Sequence, residues 1–171
     1  MDTVVVLARI VLRDPLTLAW GLVLAVLIGA GWLWWVKGRG WSRTRRLCAV
    51  LSAASLGLAL AIVLAREDVT FGSRWYCLVN PGLLPGTAEE ALNLVLFAPA
   101  AFFASLASRR LWIVLVVFVS LSVAVEVAQK WMDVGTCEVG DMTRNGCGAV
   151  VAVLLVGLMR AMRGSVTDRR G

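Results

Sequence analysis

The sequence predicts an all-α, polytopic membrane helix bundle of about five transmembrane helices, with its N-terminus outside and its C-terminus inside. Hydrophobic residues fill 60% of the 171 positions and charged residues only 16%. The mean hydropathy is +0.82, which lies outside the range of soluble globular proteins. The apolar residues form five blocks, each close to the ~20 residues that a helix needs to cross the hydrocarbon core. These blocks cover residues 17–36, 47–65, 90–107, 111–129 and 142–161.

The blocks leave room for a single transmembrane domain, which we place at residues 15–163. Residues 1–14 are predicted to form an interfacial helix, because Leu7, Ile10 and Val11 share one helical face while Arg9 and Arg13 share another. Residues 164–171 are predicted to be a cytoplasmic tail.

The first helix has a start signal and a stripe of small residues. Asp14 is a suitable N-cap, and Pro15 suits the first helical position. Gly21, Ala25 and Gly29 recur every four residues, which would let another helix approach closely. The alternative is that this spacing arises by chance in a chain rich in glycine and alanine.

Basic residues set the predicted orientation. Eleven of the seventeen fall on one side of the five-helix arrangement, and this side should face the cytoplasm. They are Lys37, Arg39, Arg43, Arg45, Arg46, Arg109, Arg110, Arg160, Arg163, Arg169 and Arg170. Because they lie in short connections and at block ends, not in a folded basic domain, membrane lipids are the expected partners and nucleic acid is not.

The third block is the least regular. Thr87 and Glu90 have the spacing of a capping box, which predicts a helix start near Ala88. Pro99 lacks an N–H and crowds the carbonyl four residues earlier, so we expect a kink there and assign Pro99 a structural role.

Polar residues in the last three helices fall at one predicted depth near the outer surface. They are Asn93, Glu126, Gln129, Asp141 and Asn145. Glu126 and Gln129 are spaced i, i+3, and Asp141 and Asn145 are spaced i, i+4, so each pair shares a helical face. Because exposing such groups to lipid is costly, these faces should meet.

Two interpretations of this cluster remain open. In the first it is an outward-facing polar pocket, with Glu126 as acid, base or cation-binding group, Asp141 as its electrostatic partner, and Asn93, Gln129 and Asn145 orienting a ligand. In the second the carboxylates are bathed by headgroups and water, and the amides bond helix to helix. Whether a reaction is catalysed stays open.

The chain has no histidine, which excludes histidine-based triads, metal sites and proton shuttles. The serines lack a recognisable base, no glycine-rich phosphate loop occurs, and the cysteine spacing fits no zinc motif. We therefore expect no metal and no cofactor.

Two of the four cysteines fall in predicted outer loops, where the compartment is oxidising. A bridge between Cys77 and Cys137 would enclose about sixty residues and contribute about 4 kcal/mol in the loop-entropy model. The rival is two free thiols. Cys48 and Cys147 lie inside apolar blocks and are expected to be packing residues.

Three segments within residues 77–157 resemble the motifs of VanZ-like membrane proteins. The family motifs run N…F.P, S…E..Q and D…N..G. The matching stretches here are EALNLVLFAP at 90–99, SVAVEVAQ at 122–129, and Asp141 with Asn145 and Gly148, the last being structural. Actinobacterial-type members also carry a cysteine before the first motif and one before the final aspartate, as Cys77 and Cys137 do here.

The chain departs from the family pattern at two places. Members usually have an arginine shortly after the E..Q segment, where this chain has Gly135 and Thr136, and often a glycine where it has Ala100. Arg144 lies nearby but at another place in the pattern, so the role of the family's arginine is not transferred to it.

The resemblance implies a multi-pass protein of the cell membrane that alters susceptibility to the glycopeptide teicoplanin. Such an effect would come from binding or modifying an envelope precursor or a lipid-linked ligand. Two alternatives remain: a small proton-coupled transporter with Glu126 as its relay, and a structural or partner-binding membrane subunit that uses the Gly21, Ala25 and Gly29 stripe. The ligand and the oligomeric state are left open.

Overall fold

The fold is a bundle of α-helices, seen in a computed structural model of the chain. The structure describes residues 15–36, 40–64, 77–79, 84–131 and 137–168, and these residues include no β-strand. In chain order the helices are α1 (Pro15–Val36), α2 (Arg43–Leu64), α3 (Ala88–Leu96), α4 (Ala98–Ala107), α5 (Leu111–Trp131) and α6 (Val139–Asp168). The predicted all-helical architecture is confirmed.

Four stretches of the described chain are long and apolar enough to cross a membrane. They are Arg43–Val63, Ala88–Ala107, Leu111–Trp131 and Val139–Arg163. Helix α1 is a fifth candidate. It has 22 residues, although its apolar stretch, Leu22–Gly31, is shorter than the other four. The number of spans is therefore four to five, as predicted.

Two of the predicted segments reach beyond the described residues. The interfacial helix at 1–14 lies outside them, as do residues 169–171 of the predicted tail. Helix α6 runs to Asp168, so helical backbone continues into the segment that the sequence assigned to the tail.

The small residues of α1 pack against α2. A Cβ added at Gly57 of α2 would lie 2.6 Å from the Cα of Ala25, so the two backbones approach as closely as only glycine allows. Gly29 lies opposite Ala53, at 3.7 Å from a Cβ built on it. Two positions of the predicted stripe thus lie on the face of α1 that contacts α2.

The third spanning segment is broken at Phe97, between α3 and α4. Pro99 stands in the first turn of α4, where its missing N–H costs least. Phe97 is fully buried, and its ring meets Phe118 of α5 edge-on at 6.3 Å between centroids. The Ser52 hydroxyl donates to the Ala100 carbonyl at 2.9 Å, which ties α2 to α4 just after the break. The kink predicted from Pro99 is therefore present as a break two residues earlier.

Gly148 of α6 lies directly against the backbone of α3. A Cβ built on it would lie 3.0 Å from the carbonyl carbon of Leu94 and closer still to its oxygen. The structural role predicted for Gly148 is to let α6 approach α3 just before the break.

This contact predicts opposite effects for two glycines of α6. Gly148→Ala should lower the free energy of unfolding by about 1–3 kcal/mol, because backbone atoms must move to admit the methyl group. Gly146→Ala is the matched control, since a Cβ there meets nothing within 4 Å, and it should be neutral or stabilising by up to about 1 kcal/mol. Thermal unfolding of both variants in detergent measures the difference, and equal stabilities would show that the close approach is not needed.

The two ends of the bundle differ in chemistry. One end, the disulfide end, comprises the C-termini of α2 and α5, the N-termini of α3 and α6, and residues 77–79. The other, the arginine end, comprises the N-termini of α2 and α5 and the C-terminus of α4. There Arg45 donates to the Ala107 carbonyl at 2.8 Å, and Arg160 donates to the Ser105 and Ser108 carbonyls. Cations thus satisfy carbonyls at the negative end of the α4 dipole.

Candidate functional site

A disulfide bond joins the two segments that lead into α3 and α6. Cys77 is bonded to Cys137, and the rival interpretation of two free thiols is wrong. Leu78 donates to the Cys137 carbonyl at 2.8 Å, and Val139 donates to the Leu78 carbonyl at 3.0 Å. The bond and this short parallel bridge anchor the loop before α3 to the N-terminus of α6.

Arg144 is at the centre of the disulfide end. Its side chain is 1% exposed, and its two terminal nitrogens donate at 2.8 Å to two carboxylates. One is Asp141, one turn earlier in α6, and the other is Glu90 of α3, 54 positions away in sequence. We call Glu90, Asp141 and Arg144 the ionic cluster, and it joins α3 to α6.

The carboxylate of Glu90 is held in place from its other side. Its Oε2 accepts from the backbone N–H groups of Gly86 at 2.6 Å and Thr87 at 3.2 Å, while the Glu90 N–H donates to the Thr87 hydroxyl. This is the capping box predicted from the sequence, and it starts α3 at Ala88 as expected. Glu90 therefore serves both as a cap and as a counter-ion.

Two side chains of α5 bond to the backbone around the start of α6. Glu126 is 3% exposed, and its Oε2 accepts from the Glu138 N–H at 3.1 Å, next to the first residue of α6. A carboxylate there offsets the positive end of the helix dipole. The Ser122 hydroxyl donates to the Met142 carbonyl at 2.6 Å. These contacts fix α5 against α6.

The three predicted amides have different surroundings. Gln129 donates to the Val63 carbonyl at 3.0 Å, which bonds α5 to the C-terminus of α2. Asn93 of α3 is 5% exposed. Asn145 is 1% exposed, and its Oδ1 has no hydrogen-bond partner in the part of the chain that the structure describes.

All five predicted site residues lie within roughly 10 Å of the disulfide end, counted along their helices at 1.5 Å per residue. The Asp141 carboxylate bonds the Arg144 guanidinium, which lies one turn away on the same helical face. A guanidinium attracts a carboxylate, whereas another carboxylate would repel it. The side-chain N–H of Gln129 donates to the Val63 carbonyl of α2. The positions around Gly135 and Thr136, where the family has its arginine, lie outside the described residues.

Arg144 and Glu90 were not predicted as site residues. The signal for Arg144 was present, because it is the first charged residue after Asp141 in the apolar run of α6 and stands at i+3 from it. For Glu90 the sequence predicted only a role in the capping box, because no pattern near it in the sequence indicates an ion-pair partner in α6.

Carboxyl groups dominate this end, with Glu90, Asp141 and Glu126 against the Arg144 guanidinium. The Nε–H of Arg144 has no hydrogen-bond partner among the described residues and is available as a donor. The next residue, Asn145, offers an acceptor at its Oδ1. Within the described part of the chain, no group of three or more histidine, cysteine or carboxylate side chains is placed to hold a metal ion. The arrangement can therefore donate and accept hydrogen bonds and present negative charge.

Comparisons with known proteins agree with the motifs. Searches among curated proteins and among solved structures gave no significant match. A protein-family model described as VanZ/LLP1 matches residues 59–160, more than half of the chain. The match extends from α2 to α6 and includes the ionic cluster, the break at Phe97 and the disulfide. The chain therefore belongs to the VanZ/LLP1 family, as a VanZ-like, multi-pass membrane protein of the cell envelope.

Proposed function

We propose that this protein lies in the plasma membrane with its disulfide end outside, and that it binds or modifies an envelope component there and so alters susceptibility to teicoplanin. The observation that carries the proposal is that two buried polar atoms, Arg144 Nε and Asn145 Oδ1, have no hydrogen-bond partner among the described residues, while the terminal nitrogens of Arg144 bond Glu90 and Asp141. Family membership supports the envelope role.

The energetics of burial support a functional site. Charged and polar side chains inside a membrane protein are costly, and a salt bridge that loses its hydration contributes little net stability. The chain nevertheless keeps Arg144 and Asn145 at 1% exposure with bonding capacity unused. A ligand group that accepts from Arg144 Nε, or one that donates to Asn145 Oδ1, would satisfy an atom that lacks a partner among the described residues.

The charge of the site indicates the kind of ligand. Three carboxyl groups outnumber one guanidinium, so an incoming phosphate would meet repulsion from Glu90, Glu126 and Asp141. Hydroxyl, amide N–H or ammonium groups would meet acceptors instead. We therefore propose that the site recognises the sugar or peptide part of an envelope precursor or lipid-linked ligand.

Glu126 is the proposed acid, base or cation-binding group. It is nearly fully buried and lies between α5 and the start of α6, where it already accepts one backbone N–H. Asp141, as part of the ionic cluster, would interact electrostatically with Glu126. Asn93 and Asn145 would orient the ligand.

Expression in a sensitive Gram-positive host tests the proposal. We expect the wild-type protein to raise the inhibitory concentration of teicoplanin, and Glu126→Gln to remove most of that effect, because the amide cannot carry the charge or proton. Glu89→Gln is the matched control, since Glu89 is an exposed carboxylate in the first turn of α3 at the same end.

The outcomes separate the alternatives. If the wild-type protein leaves susceptibility unchanged, the teicoplanin proposal fails. If Glu126→Gln acts as well as wild type, Glu126 is structural, and the protein is better described as a structural or partner-binding subunit. In that case bulky substitutions at Ala25 should be the ones that abolish the effect, because they break the contact with Gly57.

A further inference from the structure

A large apolar groove opens at the arginine end, away from the ionic cluster. Its volume is about 950 Å³, at the upper end of the range for small-molecule sites. It lies between α2, α4 and α5, beside Ile28 of α1, and its inner wall is made of small, aliphatic and aromatic side chains. They include Ala49, Ala53, Leu56, Ala104, Val114 and Phe118.

The length of the groove matches one leaflet of a bilayer. Along α2 it extends from Arg45 to Leu56, eleven positions or about 17 Å. Along α5 it extends from Ile113 to Phe118, five positions or about 8 Å, with Arg109 and Arg110 just before the helix. Half of a hydrocarbon core of about 30 Å is about 15 Å. An acyl chain that enters at the arginine end would therefore fill the groove to its inner end.

Positive charge is concentrated at the mouth of the groove. Arg45, Arg109 and Arg110 line it, and no acidic residue is among the lining residues that the structure describes. The Arg45 guanidinium lies 4.2 Å from the centre of the Trp41 ring, which holds it at the rim. Arg109 and Arg110 are exposed, and neither forms an ion pair with a described residue.

The helix ends at the mouth add to this positive potential. The N-termini of α2 and α5 both lie there, and neither has an acidic residue in its first turn. Helix N-termini carry partial positive charge and unsatisfied N–H groups, which favour an anion. The C-terminus of α4 offsets part of this charge, because its carbonyls accept from Arg45 and Arg160, while Arg109 and Arg110 add positive charge beside the two helix N-termini.

We propose that the groove binds an anionic phospholipid, with one acyl chain between α2, α4 and α5 and the phosphate against Arg45, Arg109 and Arg110. The apolar wall, the depth of one leaflet and the complementary charge at the mouth all fit this occupant. A soluble phosphate would leave the apolar wall uncovered, and a zwitterionic lipid would bring a cationic group along with its phosphate and so gain less from the arginines. This proposal is independent of the site at the disulfide end.

Native mass spectrometry of the full-length protein in a neutral detergent tests the site, with phosphatidylglycerol and phosphatidylcholine as probes. We expect wild type to retain one phosphatidylglycerol molecule and to bind phosphatidylcholine at least about tenfold more weakly. Arg109→Gln with Arg110→Gln should weaken phosphatidylglycerol binding by about tenfold or more. Equal retention of the two lipids by wild type would overturn the proposal.

Matched controls separate a site from a general charge effect. Arg43→Gln with Arg46→Gln removes the same charge from exposed arginines at the same end that do not line the groove, and it should leave binding unchanged. If it weakens binding as much as the groove pair, the attraction is diffuse and the site is refuted.

A second pair of variants tests the apolar wall. Val117 lines the groove and is 52% exposed, so Val117→Trp can cover the groove without disturbing the core, and it should abolish retention. Val116, 55% exposed and not in the lining, gives the control Val116→Trp, which should bind as wild type does. Undiminished binding by Val117→Trp, or displacement of the lipid by soluble glycerophosphate, would contradict an acyl chain in the groove.

Discussion

Replacing Arg144 with leucine should lower the free energy of unfolding by about 3 kcal/mol or more. The guanidinium is 1% exposed and bonds two carboxylates at 2.8 Å, so its loss leaves Asp141 and Glu90 without their counter-ion inside the bundle. The join between α3 and α6 would be lost as well. Thermal unfolding in detergent measures this, and a fall in Tm of about 6 °C or more is expected.

A variant without any of the three charges is the control for this prediction. Glu90→Gln, Asp141→Asn and Arg144→Met together leave no unpaired charge, and a glutamine can still complete the capping box with Thr87. Most of the lost stability should return, because neutral replacement of a buried ion pair is often tolerated. Arg43→Leu, at an exposed position, should stay within about 0.5 kcal/mol of wild type. An unchanged Tm for Arg144→Leu alone would show that the cluster does not hold α3 to α6.

The second large effect is expected from the disulfide. The Cys77–Cys137 bond closes a loop with a sequence separation of 60, so its loss should cost about 4 kcal/mol in the loop-entropy model. Cys77→Ser with Cys137→Ser should therefore lower Tm to the value of the reduced wild-type protein.

The free cysteines supply the control for that comparison. Cys48 and Cys147 are unbonded, so Cys48→Ser with Cys147→Ser should leave the response to reductant intact. Adding reductant to the Cys77→Ser, Cys137→Ser variant should change nothing further. A fall in Tm there would place the redox-sensitive element elsewhere.

Most of the helices could be predicted because the signals are local. A run of about 20 apolar residues defines a span, Thr87 with Glu90 defines a start, and Pro99 defines a break within two residues of its observed position. The disulfide was predictable for a similar reason, since alternation of the spans placed both cysteines in loops on one side.

The candidate site was predictable only in part. The depth of a residue in the membrane follows from counting residues along its helix, and all five predicted site residues lie at the disulfide end. Pairing across helices does not follow from counting, so the bond of Arg144 to Glu90 and that of Gln129 to Val63 could not be derived. The groove at the arginine end could not be predicted from the sequence either, because it depends on how α2, α4 and α5 pack.

The central claim is that the disulfide end, with its polar site, faces the outside of the cell. The most direct test uses the Cys48→Ser, Cys147→Ser protein, in which Cys77 and Cys137 are the only cysteines. Intact cells are treated with a membrane-impermeant reductant and then with a membrane-impermeant maleimide. We predict labelling after reduction and none without it, because Cys77 is exposed and the bond would be reached from outside. Labelling that requires permeabilised membranes would place the site in the cytoplasm and contradict the account.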